Sequence, residues 1–368
     1  MTTSQILSKE GRLVGDRPDL SDAQLKELFV HMLRIRCLDG RMLKLQRAGR
    51  IGFVGTATGL EASQVGSAAA LKPQDWLWSG LREGGAALMR GLPLSEYVAQ
   101  MYCNANDTAK GRQMCNHFQH AGSNYPSWSS VIGTQLVHAV GAAHASQLRG
   151  EGVVHAAYHG DGATSSNGFH SALNFAAVWK APVVFVCVDN GWAISVSSKE
   201  QTAAESYAIK AEAYGMPGMQ VDGNDVFATY EVMSKAVEHA REGHGPSLVV
   251  LETYRMLGHS SSDDPTKYRD EAEVKLWESR DPIARFQRYL EDAGVLDAGE
   301  RADLERELVS EIDAVVHEQE GAPAMALRTL VDDVYAEVPE HLKLQYNAFI
   351  AVAERHGEAS PGDGAFPL

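Results

Sequence analysis

Between residues 153 and 195 the chain runs apolar strand, Gly160-Asp161-Gly162, amphipathic stretch, apolar strand, Asp189-Asn190-Gly191. Phe169, Leu173 and Ala176 mark one helical face, and after Pro182 the run Val183 to Val188 is unbroken in its apolar character. Such a run suits a strand covered on both faces, and the strand–helix–strand order requires a parallel crossover. Few architectures accept this unit. It predicts an open, mostly parallel, doubly wound α/β sheet with helices on both sides. In such sheets ligands bind outside the carboxyl ends of the strands. Both strand ends here carry polar, turn-forming residues, so one stretch predicts a fold and a site together.

The flanking chain extends the pattern. Strands and helices alternate from Val153 to Thr253, with a helix over about 203–214, a short strand at Met219-Gln220-Val221, a helix capped by Asp225 that runs to Arg241, and a buried strand over 247–253. Upstream, Ser21 with Gln24 three residues on forms a capping box for a helix carrying Leu25, Leu28, Phe29, Met32 and Ile35 at helical spacing. Gly52 to Gly59 is too rich in Gly and Thr for regular helix. Small residues over 61–71 and 134–148 predict closely packed helices suited to subunit contact, and 110–130 reads as a long loop. The chain therefore divides into an irregular arm (1–20), an α/β binding domain (21–320), and an amphipathic tail (321–368) that would dock on a partner.

Charge narrows the function. The net charge of -15 argues against nucleic acid or an anionic membrane as partner. No apolar run approaches the ~18 residues of a membrane span, and the first residues lack the apolar segment of a secretory signal. Cys37, Cys103, Cys115 and Cys187 form no Cys-x-x-Cys pair, so reduced, mostly buried thiols and a cytoplasmic location are expected.

Gly-Asp-Gly by itself is a common turn sequence. Its placement gives it weight. Gly160 and Gly162 permit close backbone approach, Asp161 offers a hard carboxylate, and Asn190 offers an amide oxygen at the next strand end. With the Trp192 carbonyl, three protein oxygens would be available to an octahedral Mg²⁺ that also holds a diphosphate. N–H groups at the start of the helix after Gly162 would face the same phosphates.

That spacing resembles the thiamine-diphosphate motif. Further segments resemble one family in order: GLEASQVGSAAAL, KGRQM, GDGATS, HSALNFAAVWKAPVVFV, NGWAIS, VDGNDVFATY, YRMLGHSSSDDPTKYR and DVYAEVPEHL. The family is the alpha subunit of the decarboxylating component of 2-oxo acid dehydrogenase complexes, and the likeness spans about Ser21 to Tyr346. KGRQM followed by His117, and the GHSSSDD segment, look closest to the branched-chain (2-oxoisovalerate) enzymes, while QRAGRIGF and DDPTKYR look like bacterial pyruvate enzymes.

The resemblance implies specific roles. Asp161, Asn190 and the Trp192 carbonyl match the family's Mg²⁺ ligands. Leu81, Arg82, Gly160, Gly162 and Ala163 match positions around the diphosphate, and Ser130 and Ile132 match positions that cradle the aminopyrimidine. His259 matches the catalytic histidine of a mobile loop, which binds cofactor and stabilises charge during decarboxylation and acyl transfer to lipoyl. Ser129, Thr134 and Gln135 match a K⁺ site. The implied partners are a beta subunit, in an α₂β₂ heterotetramer, and a lipoyl-bearing transacylase core, with a small 2-oxo acid as substrate. The glutamate needed beside the cofactor's pyrimidine comes from the beta subunit in this family, and Glu61 does not occupy an equivalent position.

The sequence also departs from the family. Asp189-Asn190 replaces Asn-Asn, Val188 stands where an arginine is frequent, Leu81 where a tyrosine is frequent, and Ser166-Asn167-Gly168 replaces Glu-Gly-Asp. These differences keep three alternatives open: a pyruvate enzyme, an acetoin enzyme, and a degenerate non-catalytic subunit. A nicotinamide-binding Rossmann enzyme is disfavoured, since no G-x-G-x-x-G follows a strand.

Overall fold

The computed structural model describes residues 4–356; residues 1–3 of the arm and 357–368 of the tail lie outside the described residues. Helix α1 (Asp22–Arg47) starts at the expected capping box, with Gln24 returning its side chain to the Ser21 N–H at 2.9 Å. Then come α2 (Glu61–Ala69), strand β1 (Trp76–Trp78), α3 (Gly84–Met89), α4 (Leu94–Tyr102) and α5 (Thr134–Arg149). The central unit is β2 (His155–Gly160), α6 (Asn167–Trp179) and β3 (Val183–Asp189), followed by a hairpin of β4 (Trp192–Ala193) and β5 (Val196–Ser197) and the short α7 (Ser198–Gln201). After it lie β6 (Gly218–Asp222), α8 (Val226–Arg241) and β7 (Ser247–Glu252). The rest is helical: α9 (Glu271–Glu278), α10 (Pro282–Asp292), α11 (Glu300–Glu320), α12 (Thr329–Asp332) and α13 (Glu340–His356).

Five strands form one parallel sheet in the order β1-β2-β3-β7-β6. The unbroken apolar run of β3 is explained by burial on both faces. Val184, Val186 and Val188 enter one hydrophobic cluster, which includes residues of α1, α2 and α8. Val183, Phe185 and Cys187 enter another, with residues of α5 and α6. Alternation of side chains along a strand makes this division automatic. Gly160 pairs with Val188 in register, so the ends of β2 and β3 stand side by side.

Several local expectations are corrected. No α-helix follows Gly162 directly. Asp161–Ser165 is a 3₁₀ turn, because the Thr164 and Ser166 hydroxyls bond back to the Asp161 and Ala163 carbonyls, each at 2.8 Å. Ser166 then accepts from Phe169 N at 3.2 Å and caps α6. The helix expected over 203–214 is a 3₁₀ segment confined to Ala208–Tyr214. The small residues of α2 serve packing within the chain: Gly66 lies where a Cβ would come 2.8 Å from the Val226 carbonyl of α8. Only Cys187 is buried; the other three cysteines are half-buried.

The arm is irregular yet fastened. Ile6 and Leu7 N–H groups both donate to Asp225 Oδ2 at 2.6 Å, and the buried Arg285 bonds the Leu7 and Ser8 carbonyls. Asp225 also caps α8 through Phe227 N and Ala228 N. In the tail, Asp333 pairs with Lys110 at 2.6 Å and Arg112 at 3.3 Å, on the loop between α4 and α5. Among the described residues no helix is long and apolar enough to cross a membrane.

Candidate active site

The carboxyl ends of β2 and β3 form part of the wall of a cavity of about 420 Å³. That volume suits a small-molecule or cofactor site. Asp161 enters it from the 3₁₀ turn after β2 and is 1% exposed. Its Oδ2 accepts from Gln201 Nε2 at 2.8 Å and Ser198 Oγ at 3.1 Å. Its buried Oδ1 has no hydrogen-bond partner among the described residues. Burial pushes the Asp161 pKa up, and the Gln201 and Ser198 donors oppose that shift.

Across from it, Asn190 follows β3 in a tight turn made possible by Gly191 at φ +83°. Asn190 Oδ1 accepts from Trp192 N at 3.2 Å, which orients the amide. The Trp192 carbonyl faces Arg255, whose Nη1 approaches it at 3.3 Å. Two glycines have different reasons. A Cβ on Gly162 would sit 2.6 Å from the Ala193 Cβ, so the hairpin itself forbids one. A Cβ on Gly160 would meet only Asn190 Nδ2, at 3.9 Å.

Cations line another side. Arg82, 7% exposed, donates to the Thr56 carbonyl and, at 2.7 Å, to the His259 carbonyl, while its Nη2 lies 3.3 Å from His259 Nδ1. His259 is fixed in turn by its N–H to Asp263 Oδ2 at 2.6 Å. Burial, then Arg82 and Arg255, push the His259 pKa down to about 4. The imidazole is neutral at physiological pH. The loop expected as a gate lies against the cavity, held by Ser261 N to the Val54 carbonyl at 3.1 Å and by the Tyr268 hydroxyl on Asp263.

Leu81, Arg82, Ser130, Ile132, Gly160, Asp161, Gly162, Ala163, Asn190, Trp192 and His259 line this one cavity, as does Gln135. Ser129 and Thr134 are not among its lining residues. Ser129 Oγ already accepts from Val131 N at 3.2 Å, whereas Gln135 donates to the Tyr158 carbonyl at 2.9 Å and keeps a buried, unpartnered Oε1. The Leu81 carbonyl accepts from Asn116 Nδ2 at 2.8 Å. Ser166-Asn167-Gly168 has a packing role: a Cβ on Gly168 would come 2.8 Å from the Gly133 carbonyl, so α6 docks tightly on the loop before α5.

Sequence reasoning missed Arg255, which is 1% exposed, lines the cavity and bonds the Ile194 carbonyl at 2.8 Å. It missed Ser198 and Gln201, which hold Asp161 from α7. The available signal for Arg255 was a charged residue two positions beyond the buried strand, at a carboxyl end of the sheet. Nothing in the sequence marked Ser198 or Gln201.

The residues fit a diphosphate with a divalent cation. A buried carboxylate with one orphaned oxygen needs a positive partner. A carboxylate, an amide oxygen and a carbonyl make a hard donor set of the kind Mg²⁺ takes. Arg82 and Arg255 would supply charge for phosphate oxygens, and Gly160 leaves room beside the backbone.

A family profile described as dehydrogenase E1 component matches residues 30–327. The chain belongs to the dehydrogenase E1 component family. Among curated relatives in this family, the pyruvate dehydrogenase E1 component subunit alpha of Staphylococcus aureus is 37% identical over 348 residues, covering 94% of this chain and 92% of the relative. The Staphylococcus epidermidis protein of the same description matches to the same extent. The mitochondrial 2-oxoisovalerate dehydrogenase subunit alpha 2 of Arabidopsis thaliana is 35% identical over 362 residues, 98% of this chain and 77% of the relative.

Proposed function

We propose that this chain is the alpha subunit of a thiamine-diphosphate-dependent 2-oxo acid dehydrogenase that decarboxylates a branched-chain 2-oxo acid and passes the acyl group to lipoyl on a transacylase. The observation that carries this is the unpartnered, buried Oδ1 of Asp161 at the end of β2, beside Asn190 at the end of β3. The bound cofactor would supply the carbon nucleophile and electron sink for decarboxylation. Asp161, Asn190 and the Trp192 carbonyl would hold Mg²⁺, and Arg82 would hold the diphosphate.

His259 has a defined part. Arginine only donates, so the 3.3 Å approach of Arg82 requires Nδ1 to accept and places the ring proton on Nε2. A neutral imidazole with Nε2–H can donate a hydrogen bond to a carboxylate or oxyanion without carrying charge into the ground state. Phe53, Met114, Trp128 and Ile132 form apolar wall beside these groups and would exclude water around an acyl chain.

The site calls for a partner. Glu61 is fully buried in an ion pair with Arg36 at 2.5 Å and is not a lining residue. Glu83 lines the cavity but turns an oxygen onto Arg82 N at 3.2 Å. A beta subunit in an α₂β₂ assembly would bring the missing carboxylate over the open side, where Val131 and Ile132 are 68% and 58% exposed.

A pyruvate enzyme is the second reading, favoured by the 37% identity to the staphylococcal chains. Purified alpha and beta subunits decide between them. Decarboxylation requiring both thiamine diphosphate and Mg²⁺ is expected, with kcat/KM higher for 3-methyl-2-oxobutanoate than for pyruvate. The reverse order selects the second reading, and no turnover of any 2-oxo acid removes both.

A further inference from the structure

Two cysteines approach each other just outside the cavity. Cys103 is the left-handed cap that ends α4, at φ +51°, and Cys115 closes the loop that follows. Their sulfurs lie 3.9 Å apart, and both side chains are half-buried. The other two thiols are elsewhere: Cys187 is fully buried in β3, and burial pushes the Cys37 pKa up to about 11.

We propose that Cys103 and Cys115 are a redox-active dithiol that a peroxide closes to a disulfide, fastening the base of the 104–114 loop beside the cavity. A disulfide needs an S–S distance of about 2.05 Å, so the sulfurs must close by roughly 2 Å, within reach of small side-chain and loop adjustments. The two thiols are also unequal. The Cys103 thiol, then the N–H groups of Gly52, Phe53 and Cys115 itself, favour the Cys115 thiolate against the effect of burial. In the thiol form Cys115 donates to the Met101 carbonyl at 3.1 Å. Cys103 is shifted the other way, by Cys115 first and burial second, and stays protonated. Two thiols in contact, with the thiolate favoured on one of them, suit an attacking and a resolving cysteine.

The chemistry balances. The Cys115 sulfur attacks a peroxide oxygen; the O–O bond breaks, giving a sulfenic acid and, after protonation, water. The Cys103 sulfur then attacks the sulfenic sulfur; the S–O bond breaks, and the Cys103 proton leaves with the hydroxyl as a second water. The two thiols are oxidised and the peroxide is reduced.

The position gives the bond a consequence. Met114 and His117, on either side of Cys115, line the cavity. Asn116 bridges Gly55 N at 3.3 Å and the Leu81 carbonyl at 2.8 Å, and His117 Nε2 meets Ser130 Oγ at 2.6 Å. Pulling Cys115 toward α4 displaces the next two residues, Asn116 and His117, which carry these contacts.

The test uses the full chain, reduced and then exposed to hydrogen peroxide. Non-reducing proteolysis and mass spectrometry should give a Cys103–Cys115 cross-linked peptide, with two of the four thiols lost and restored by dithiothreitol. Cys103→Ser should abolish the cross-link and leave Cys115 as a sulfenic or higher acid. The wild-type measurement decides even if that variant folds poorly. Peroxide that leaves all four thiols titratable, joins separate chains, or drives Cys115 to sulfinic acid without a cross-link overturns the proposal.

Discussion

Arg82 grips His259 twice: its guanidinium donates to the His259 carbonyl at 2.7 Å and meets Nδ1 at 3.3 Å. The same side chain bonds the Thr56 carbonyl, so one buried cation joins two loops on the cavity wall. Removing it by Arg82→Met leaves carbonyls without donors and lifts one of the charges holding His259 neutral. Turnover of the assembled enzyme should fall about 100-fold, the scale of losing one or two charge-assisted hydrogen bonds. The His259 pKa should rise from about 4, and only partway toward 6.5, because burial is its largest cause. Histidine NMR titration reads the second effect independently of activity; an unmoved His259 resonance would contradict the coupling.

Asp161→Asn separates stability from binding. The carboxylate is buried with an unpartnered oxygen, which costs free energy in the absence of a cation. The amide should leave the cofactor-free chain as stable as wild type or more so, by about 1 kcal/mol. It should also abolish the rise in Tm that thiamine diphosphate and Mg²⁺ give the wild type. A variant that retains the full ligand-induced rise would remove Asp161 from the metal site.

The two glycines of the turn should respond differently to alanine. Gly162→Ala drives a Cβ to within 2.6 Å of Ala193, so it should lower stability by about 1–3 kcal/mol, as overpacking does. Gly160→Ala meets nothing nearer than 3.9 Å and should fold normally, yet weaken cofactor binding by occupying the cavity floor. Denaturant melts and calorimetric titration of both variants check the contrast; equal effects on stability would defeat it.

His155 should make the fold acid-sensitive. Burial pushes its pKa down to about 4, and its ring accepts Trp78 Nε1–H on Nδ1 at 3.1 Å while Nε2 meets Ser146 Oγ at 3.2 Å. Between about 6.5 and 4 the unfolded chain binds a proton here that the folded chain refuses. The contribution is therefore full above pH 6.5 and is lost as pH falls toward 4, on the order of 3 kcal/mol in total. Urea melts across that range should show a shallower pH dependence for His155→Asn than for wild type.

Much of the site was legible because it lies at strand ends. Asp161 and Asn190 follow directly from two apolar runs and their turns, and parallel pairing of consecutive strands puts them side by side. Capping residues were equally local: Ser21 and Asp225 each bond an N–H two or three residues on. The helix after Gly162 is present with Phe169, Leu173 and Ala176 buried, but it starts at Asn167, because the Thr164 and Ser166 hydroxyls hold Asp161–Ser165 in a 3₁₀ turn. Subunit contact through α2 failed for a non-local one, because its small residues meet α8, more than a hundred residues away.

The sequence by itself determined the βαβ unit, the polar residues at its strand ends and the helix starts, because periodicity and capping act over a few residues. Tertiary structure alone decided that β7 inserts between β3 and β6, that α7 turns Ser198 and Gln201 onto Asp161, and that Arg255 reaches the Trp192 and Ile194 carbonyls. It also decided that Cys103 and Cys115 meet across their loop. These relations depend on where distant segments pack, and packing is set by the sum of buried surface and satisfied polar groups over the whole chain.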